Sequence, residues 1–317
     1  MIKSNFEVDM VAPKCKESSY KISLLIPTYN SGTTLEKALN SIKQQSFKDV
    51  EVIIIDGKST DGTLDVVKAN QDMISVTISE TDKGIYDAIN KGIRIASGKL
   101  ICVLGSDDEL ISDSLDKVFS AWEVSKTDII AGRAVMVSAD GSESVRVDED
   151  YGIGSLLSGI PFCHNAMFVS REAYERVGSY DLRYKICADA DWVHRAIRLD
   201  LTCLQIEIPV VRFSLGGLSS NNPNDIMRET YEIIVESFPY LSLKDVESLF
   251  RAIRGWSDGR DLESILRQYQ KNTDLLISTA IAFSARSRRL AKQVPVSVIE
   301  PIHIMKVLAH RIYQIFG

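Results

Sequence analysis

Cysteine is scarce: Cys15, Cys102, Cys163, Cys187 and Cys203 form an odd set with no C-x-x-C spacing in 317 residues. That excludes a disulfide framework and a zinc knuckle, and a reducing, cytoplasmic setting is expected. No apolar run approaches the roughly 18 residues that cross a bilayer; the run at 275–283 is broken by Ser278 and Thr279. Glu7 and Asp9 stand where an export signal needs its apolar core, so no signal peptide is expected. Positive charge is not in excess either, since 37 basic against 43 acidic residues give −6. A surface that coats nucleic acid is therefore not expected. There is no G-x-G-x-x-G after the first apolar strand, and GIRIASGK (92–99) has one residue too many between its glycines and is followed by Leu100, where a P-loop carries Ser or Thr. Hydride transfer on a dinucleotide and Walker-type hydrolysis lose their main support.

What is present is the composition of an ordinary globular chain, 45% hydrophobic and 25% charged, long enough for one large domain with a smaller one appended. After a polar lead over 1–20, short aliphatic runs at 21–27, 51–57, 73–80 and 99–105 read as strands. Helical spacing separates them: Leu35, Ala38, Leu39 and Ile42 behind a Thr33-x-x-Glu36 capping box, then 61–70, then Ile85, Ala88, Ile89 and Ile93 within 84–96. Strands without alternation, spaced by helices, indicate an α/β fold whose parallel sheet is covered on both faces and binds ligands at the carboxyl ends of its strands. The second half mixes strands (128–138, 207–217) with helices (171–178, 190–200), and beyond about 224 the pattern is almost wholly helical. The expected organisation is a catalytic domain over 21–220 and a helical region over 221–317.

The end of the chain is basic. From 285 onward Arg286, Arg288, Arg289, Lys292, Lys306 and Arg311 face one acid, Glu300, for a local charge of +5. Leu275, Leu276, Ile281 and Leu290 in 274–292, and a second apolar stripe in 299–315, make both stretches amphipathic. Two readings stand: helices lying on an anionic membrane surface, or helices packed on the catalytic domain or on a second subunit.

Carboxylate, hydroxyl and amide groups occupy the strand ends: Pro27-Thr28-Tyr29-Asn30, Asp56-Gly57-Lys58-Ser59, and Gly105-Ser106-Asp107-Asp108. Two adjacent acids after the apolar run LICVL would repel unless they share something positive. A hard divalent cation that also binds a diphosphate answers that need; acids at a helix N-terminus are the plainer alternative.

IPTYN (26–30), IIIDGKSTDGT (53–63), SETDKGIYDAINKGIRIASGKLICVLGSDD (79–108) and HNAMFVSREAYERVGSYD with ADADW (164–192) together resemble the family-2 glycosyltransferases of the GT-A fold, in the correct order over roughly 21–220. DKGIYDAINKG looks like the subgroup of bacterial exopolysaccharide, capsule and O-antigen enzymes. The resemblance implies a Rossmann-like mixed sheet flanked by helices and an inverting transfer from a nucleotide-sugar donor, with UDP expected. The acceptor it implies is a saccharide hydroxyl, expected to be lipid-linked, which would suit peripheral contact with the inner face of the cell membrane. Pro27, Thr28 and Tyr29 would line the base and ribose, Asp56 would accept from a base N–H, and Asp82 and Lys83 would lie by the nucleotide. Asp107 and Asp108 would hold Mg²⁺ or Mn²⁺, and Asp107 would also lie by the nucleotide. Asp189 would take the proton of the incoming hydroxyl.

The chain departs from many relatives in carrying Ala188 before that base, and Asp191 two residues on is a competitor that a helix would point elsewhere. His164, Asp191, Trp192, Gly216 and Gly217 are placed on the acceptor side. Plainer readings remain for several: a packed aromatic for Tyr29, an Asx turn for Asp56, a hydrogen-bonded core histidine for His164, helix packing for Trp192 and a flexible turn for the two glycines. His194 reads as structural. A nucleotidyltransferase would show a Gly-rich, Arg-containing loop after the first strand, which PTYNSGTT lacks. A catalytically silent scaffold is opposed by the joint presence of Asp56, Asp107, Asp108 and Asp189, and a processive synthase by the missing Q-x-x-R-W and spans.

Overall fold

The structure is a computed structural model that describes residues 20–216, 222–257 and 260–293. The first expected strand is β1 (Ile22–Thr28), followed by α1 (Leu35–Lys43), β2 (Val50–Asp56), α2 (Thr63–Ala69), β3 (Val76–Ser79), α3 (Ile85–Ile95) and β4 (Leu100–Val103). Next come β5 (Glu109–Leu110), α4 (Ser114–Ser125), β6 (Ile129–Val137) and β7 (Glu143–Val145). After a 3₁₀ turn (Ile153–Leu157) follow β8 (Met167–Ser170), α5 (Arg171–Val177), α6 (Ala188–Arg198) and β9 (Cys203–Ser214). Four helices close the described chain: α7 (Pro223–Ser237), α8 (Leu243–Arg254), α9 (Arg260–Gln268) and α10 (Thr273–Gln293).

Among the described residues the strands form one mixed sheet in the order β3-β2-β1-β4-β8-β6-β9-β5, with β7 beside β6. The first four are parallel, while β8 runs antiparallel to both β4 and β6. Along β1 and β2 the pairing carries Ile22 opposite Val50 through to Thr28 opposite Asp56, so two strand-end polar residues lie side by side at the carboxyl edge. Alternate strand residues feed opposite faces. Leu25, Ile53, Ile55 and Val103 join α3, α5, α6 and the closing helices on one face, whereas Leu24, Ile26, Ile54 and Cys102 pack with α1 and α4 on the other.

Two expectations need correction. The Thr33–Glu36 capping box does not form: Thr34 is the N-cap, with no side-chain cap bond, and the Ser31 carbonyl takes the Thr34 and Leu35 N–H groups instead. The third strand spans only 76–79, because it is a short edge strand paired with β2 alone. In α10, Leu275 and Leu276 are buried in the same cluster as the sheet, and Gly154 of the 3₁₀ turn admits the Ile281 side chain so closely that a Cβ there would lie 2.5 Å from it. Leu275 and Leu276 of this stripe are thus used internally, while Ile281 is 39% exposed. The second stripe (299–315), with Lys306 and Arg311, and the side chains of Arg288, Arg289, Leu290 and Lys292 lie outside the described residues. Helices α7 to α10 share one hydrophobic cluster with the sheet. No helix among the described residues is long and apolar enough to cross a membrane.

Candidate active site

A cavity of about 390 Å³ opens at the carboxyl ends of β1 and β4 and is lined by Pro27, Gly105, Asp107, Asp108, His164 and Asp189 among others. Pro27 and Asp189, 162 positions apart in sequence, meet here because the parallel strands deliver their carboxyl ends to one edge, which α6 faces.

The two strand-end acids converge. A Cβ added to Gly105 would meet Asp108 Oδ2 at 2.5 Å and Asp107 Oδ1 at 3.0 Å, so glycine is what lets both carboxyl groups crowd one point. Asp108 is 1% exposed; Ser214 at the end of β9 donates its N–H to Oδ1 at 2.8 Å, and Asn165 donates its amide to Oδ2. Ser214 Oγ also donates to the Asp107 carbonyl at 2.6 Å, tying β9 to the acidic turn. Burial pushes the Asp108 carboxyl up to about 7, with the neighbouring Asp107 adding to the rise, and burial raises Asp107 as well. Negative charge held this close and this dry is relieved by a cation. The donor set fits Mg²⁺ or Mn²⁺, which favour oxygen ligands. Among the described residues no group of three or more His, Cys, Asp or Glu forms a full cage, so such an ion would need further oxygens from phosphate and water.

On the facing side, Asp189 sits in the first turn of α6. The Tyr86 hydroxyl of α3 lies 3.1 Å from its Oδ1 and 2.6 Å from the Ile186 carbonyl, and the Ala190 N–H donates to the same Oδ1 at 2.8 Å. Tyr86 is buried, and desolvation, then the Asp189 charge, hold its phenol well above the usual tyrosine range, so it keeps its proton. Behind it His164 Nε2 meets the Tyr180 hydroxyl at 2.8 Å, and Tyr180 meets Tyr174 at 3.0 Å. Burial lowers the His164 pKa, keeping the ring neutral in this enclosure.

Not every expected residue reaches the cavity. Asp191 is 2% exposed and accepts from Arg195 Nε at 2.9 Å, so the competitor for the base is consumed in an ion pair inside the fold. Trp192 is fully buried, donates Nε1–H to the Gly178 carbonyl and packs on Tyr174 and Tyr180; it offers no platform to an acceptor. His194 is likewise enclosed: its Nε2 donates to the Ser158 carbonyl at 3.1 Å, and Nδ1 pairs with Ser237 at 3.0 Å. Asp56 is 0% exposed, with donors from Thr28, Ser79 and both the N–H and hydroxyl of Ser59 on its two oxygens; it anchors the loop after β2 and has no surface to offer a base. Thr28 is buried beside it, whereas Tyr29 is 67% exposed.

Near Tyr29 a different acid stands in reach. A Cβ on Gly57 would meet Asp82 Oδ2 at 2.6 Å and the Tyr29 ring at 3.3 Å, so the Asp82 carboxylate and the open tyrosine share the space above that glycine. Lys83 beside it is exposed. Gly216 follows β9 with φ of +121°, a conformation that favours glycine; Gly217 lies outside the described residues. Tyr86, Asn165 and Ser214 had no assigned role at the level of sequence, although Tyr86 lies in GIYDAINKG and Asn165 next to His164.

Residues 23–178 match the family described as glycosyl transferase family 2. A PGL/p-HBAD biosynthesis glycosyltransferase of Mycobacterium tuberculosis is 34% identical over 205 residues, which span 62% of this chain and 78% of that protein. The chain belongs to glycosyltransferase family 2. A GalNAc(5)-diNAcBac-PP-undecaprenol beta-1,3-glucosyltransferase of Campylobacter jejuni is 40% identical over 99 residues, 30% of this chain and 32% of that one. The crystal structure of TarS residues 1–349 from S. aureus, in complex with UDP-GlcNAc, superposes with a TM-score of 0.59 at 17% identity, covering 83% of this chain and 81% of that chain. That likeness supports the GT-A-type α/β fold, and this enzyme is a glycosyltransferase.

Proposed function

We propose that this glycosyltransferase moves a sugar from a nucleoside-diphosphate donor onto a hydroxyl of a saccharide acceptor, with inversion at the anomeric carbon. The observation that carries this reading is that Asp189 and the Asp107–Asp108 pair line a single cavity. An inverting transfer needs one carboxylate to take the hydroxyl proton and a positive counter-charge for the departing diphosphate, and no protein nucleophile. Asp189 Oδ2 would accept the proton as the acceptor oxygen bonds the anomeric carbon and the bond to the diphosphate breaks. Oδ1 is held by Tyr86 and Ala190, which fixes the carboxylate's orientation. Asp107 and Asp108 would hold Mg²⁺ or Mn²⁺, whose chemistry is to neutralise charge on the leaving diphosphate.

The donor nucleotide is expected to be UDP. Tyr29 offers an open ring for stacking, and Asp82, beside it above Gly57, would accept a uracil N–H in place of the enclosed Asp56. A fold neighbour solved with UDP-GlcNAc and a relative named for an undecaprenol-linked substrate support a UDP-sugar donor and a lipid-linked acceptor in bacterial surface polysaccharide assembly. The test is a panel of nucleotide sugars, scored by nucleotide release with Mn²⁺ or Mg²⁺ present. Release from one or more UDP-sugars that increases with a saccharide acceptor supports the reading; no release from any UDP-sugar, with release from GDP- or dTDP-sugars, overturns UDP as the donor nucleotide.

A further inference from the structure

Immediately before Asp189, three successive backbone N–H groups converge on one side chain. Lys185 donates to Glu229 Oε1 at 2.9 Å, and Ile186 and Cys187 donate to Oε2 at 3.0 and 2.9 Å. Consecutive N–H groups aimed at one point form an anion-binding concavity, and here the chain fills it with its own carboxylate. Glu229 is 2% exposed and comes from α7, beyond the 23–178 segment matched by the family. Cys187 is the N-cap of α6 and has no side-chain cap bond, and Glu229 from another helix takes its N–H.

The captured segment is also the one that Tyr86 grips from the opposite side, through the Ile186 carbonyl. Lys185, Ile186 and Cys187 line the cavity, as do Ile226 and Thr230 of α7, one turn before Glu229 and one residue after it. A single buried carboxyl group therefore links the wall supplied by α7 to the turn that aims Asp189. A buried acid is costly, and three N–H donors on two oxygens, with the Arg228 guanidinium 4.0 Å from Oε1, make this one tolerable.

We propose that Glu229 is a positioning residue for catalysis: it sets the backbone of 185–187, and through it the direction of the Asp189 carboxylate. This rests on the reading of Asp189 as the proton acceptor. Displacing a reacting group by about 1 Å costs as much as 10²-fold, so Glu229→Gln, which must turn an NH₂ toward at least one of the three N–H groups, should lower kcat roughly 10-fold to 100-fold. KM for the donor and the affinity for UDP should stay within about twofold, because the expected nucleotide contacts, Tyr29, Asp82 and Lys83, lie in the turns after β1 and before α3.

A double-mutant cycle on the full chain tests it, with kcat, donor KM, UDP binding by calorimetry and the folded fraction by circular dichroism measured for each protein. If Glu229 acts through Asp189, Glu229→Gln costs 10-fold or more in the native background and less than twofold in the Asp189→Asn background. Equal losses in both backgrounds, or an unchanged kcat per folded molecule, overturn the inference while leaving Asp189 in place. An Asp189→Asn protein as active as the native one instead removes the reading beneath it. Should Glu229→Gln fail to fold, Glu229→Asp, which keeps both acceptor oxygens one methylene short, goes through the same cycle with the same expected inequality.

Discussion

The Tyr86 hydroxyl lies 3.1 Å from Asp189 Oδ1 and joins α3 to α6 across 103 positions of sequence. A phenol has one proton, and the shorter contact, 2.6 Å to the Ile186 carbonyl, competes for it. Both contacts serve to fix the turn that carries Asp189. Tyr86→Phe should keep the fold and UDP affinity, since the ring stays packed, and lower kcat roughly tenfold, the size expected for losing a hydrogen bond to a charged group. Steady-state kinetics beside UDP calorimetry check this.

Asp189 and Asp191 should part cleanly on mutation. Asp189→Asn should bind UDP normally and lose about 10²–10⁴ in transfer, the range for removing a positioned proton acceptor. Asp191→Asn should instead lower thermal stability, by an amount on the order of 1–3 kcal/mol for a weakened buried pair with Arg195, and leave kcat per folded molecule nearly unchanged. An inactive, stable Asp191→Asn would reverse the two roles.

The acidic pair is tested by metal. EDTA should abolish turnover of the native enzyme, and Mn²⁺ or Mg²⁺ should restore it. Asp107→Asn and Asp108→Asn should fold but show neither restored turnover nor the gain in UDP affinity that metal gives the native protein in calorimetry. Full activity of either variant in EDTA contradicts the assignment.

His194 gives a pH dependence of stability. Burial holds its ring down to about 4 from 6.5. The unfolded chain binds a proton below pH 6.5 that the fold does not take until about 4, so this contribution is intact above pH 6.5 and is lost as pH falls through that window. The full loss is about 3 kcal/mol. Urea unfolding at pH 7.5, 6 and 5 should show a steeper fall for the native protein than for His194→Gln, which has nothing to titrate there.

The alternation of aliphatic runs with helical spacing was enough to read the α/β half, and the strand-end acids Asp107 and Asp108 stood out because they follow LICVL without a break. Asp56 did not reveal its environment, since the same strand-end position faces solvent or interior according to partners such as Ser79, 23 positions away, and the Ser59 turn. Asp191 and Trp192 were ambiguous for a related reason: helical spacing separates them from Asp189 by angle, but only the packing of Tyr174 and Tyr180 decides which side is core. An apolar stripe beside arginines reads alike for a membrane and for a protein surface, and in α10 only packing shows that Leu275 and Leu276 belong to the core. Glu229 had no local signal at all, because a buried acid in an amphipathic helix is told from a solvated one only by the N–H groups it meets.

The central claim is that one carboxylate, Asp189, suffices because the acceptor oxygen attacks the anomeric carbon directly. The stereochemistry of the product tests this most directly. With an α-linked UDP-sugar found active in the donor panel, the anomeric proton of the purified product should show β configuration by ¹H NMR. An α-linked product would contradict the account, since net retention requires a second displacement or a same-face mechanism for which Asp189 has no role as the base.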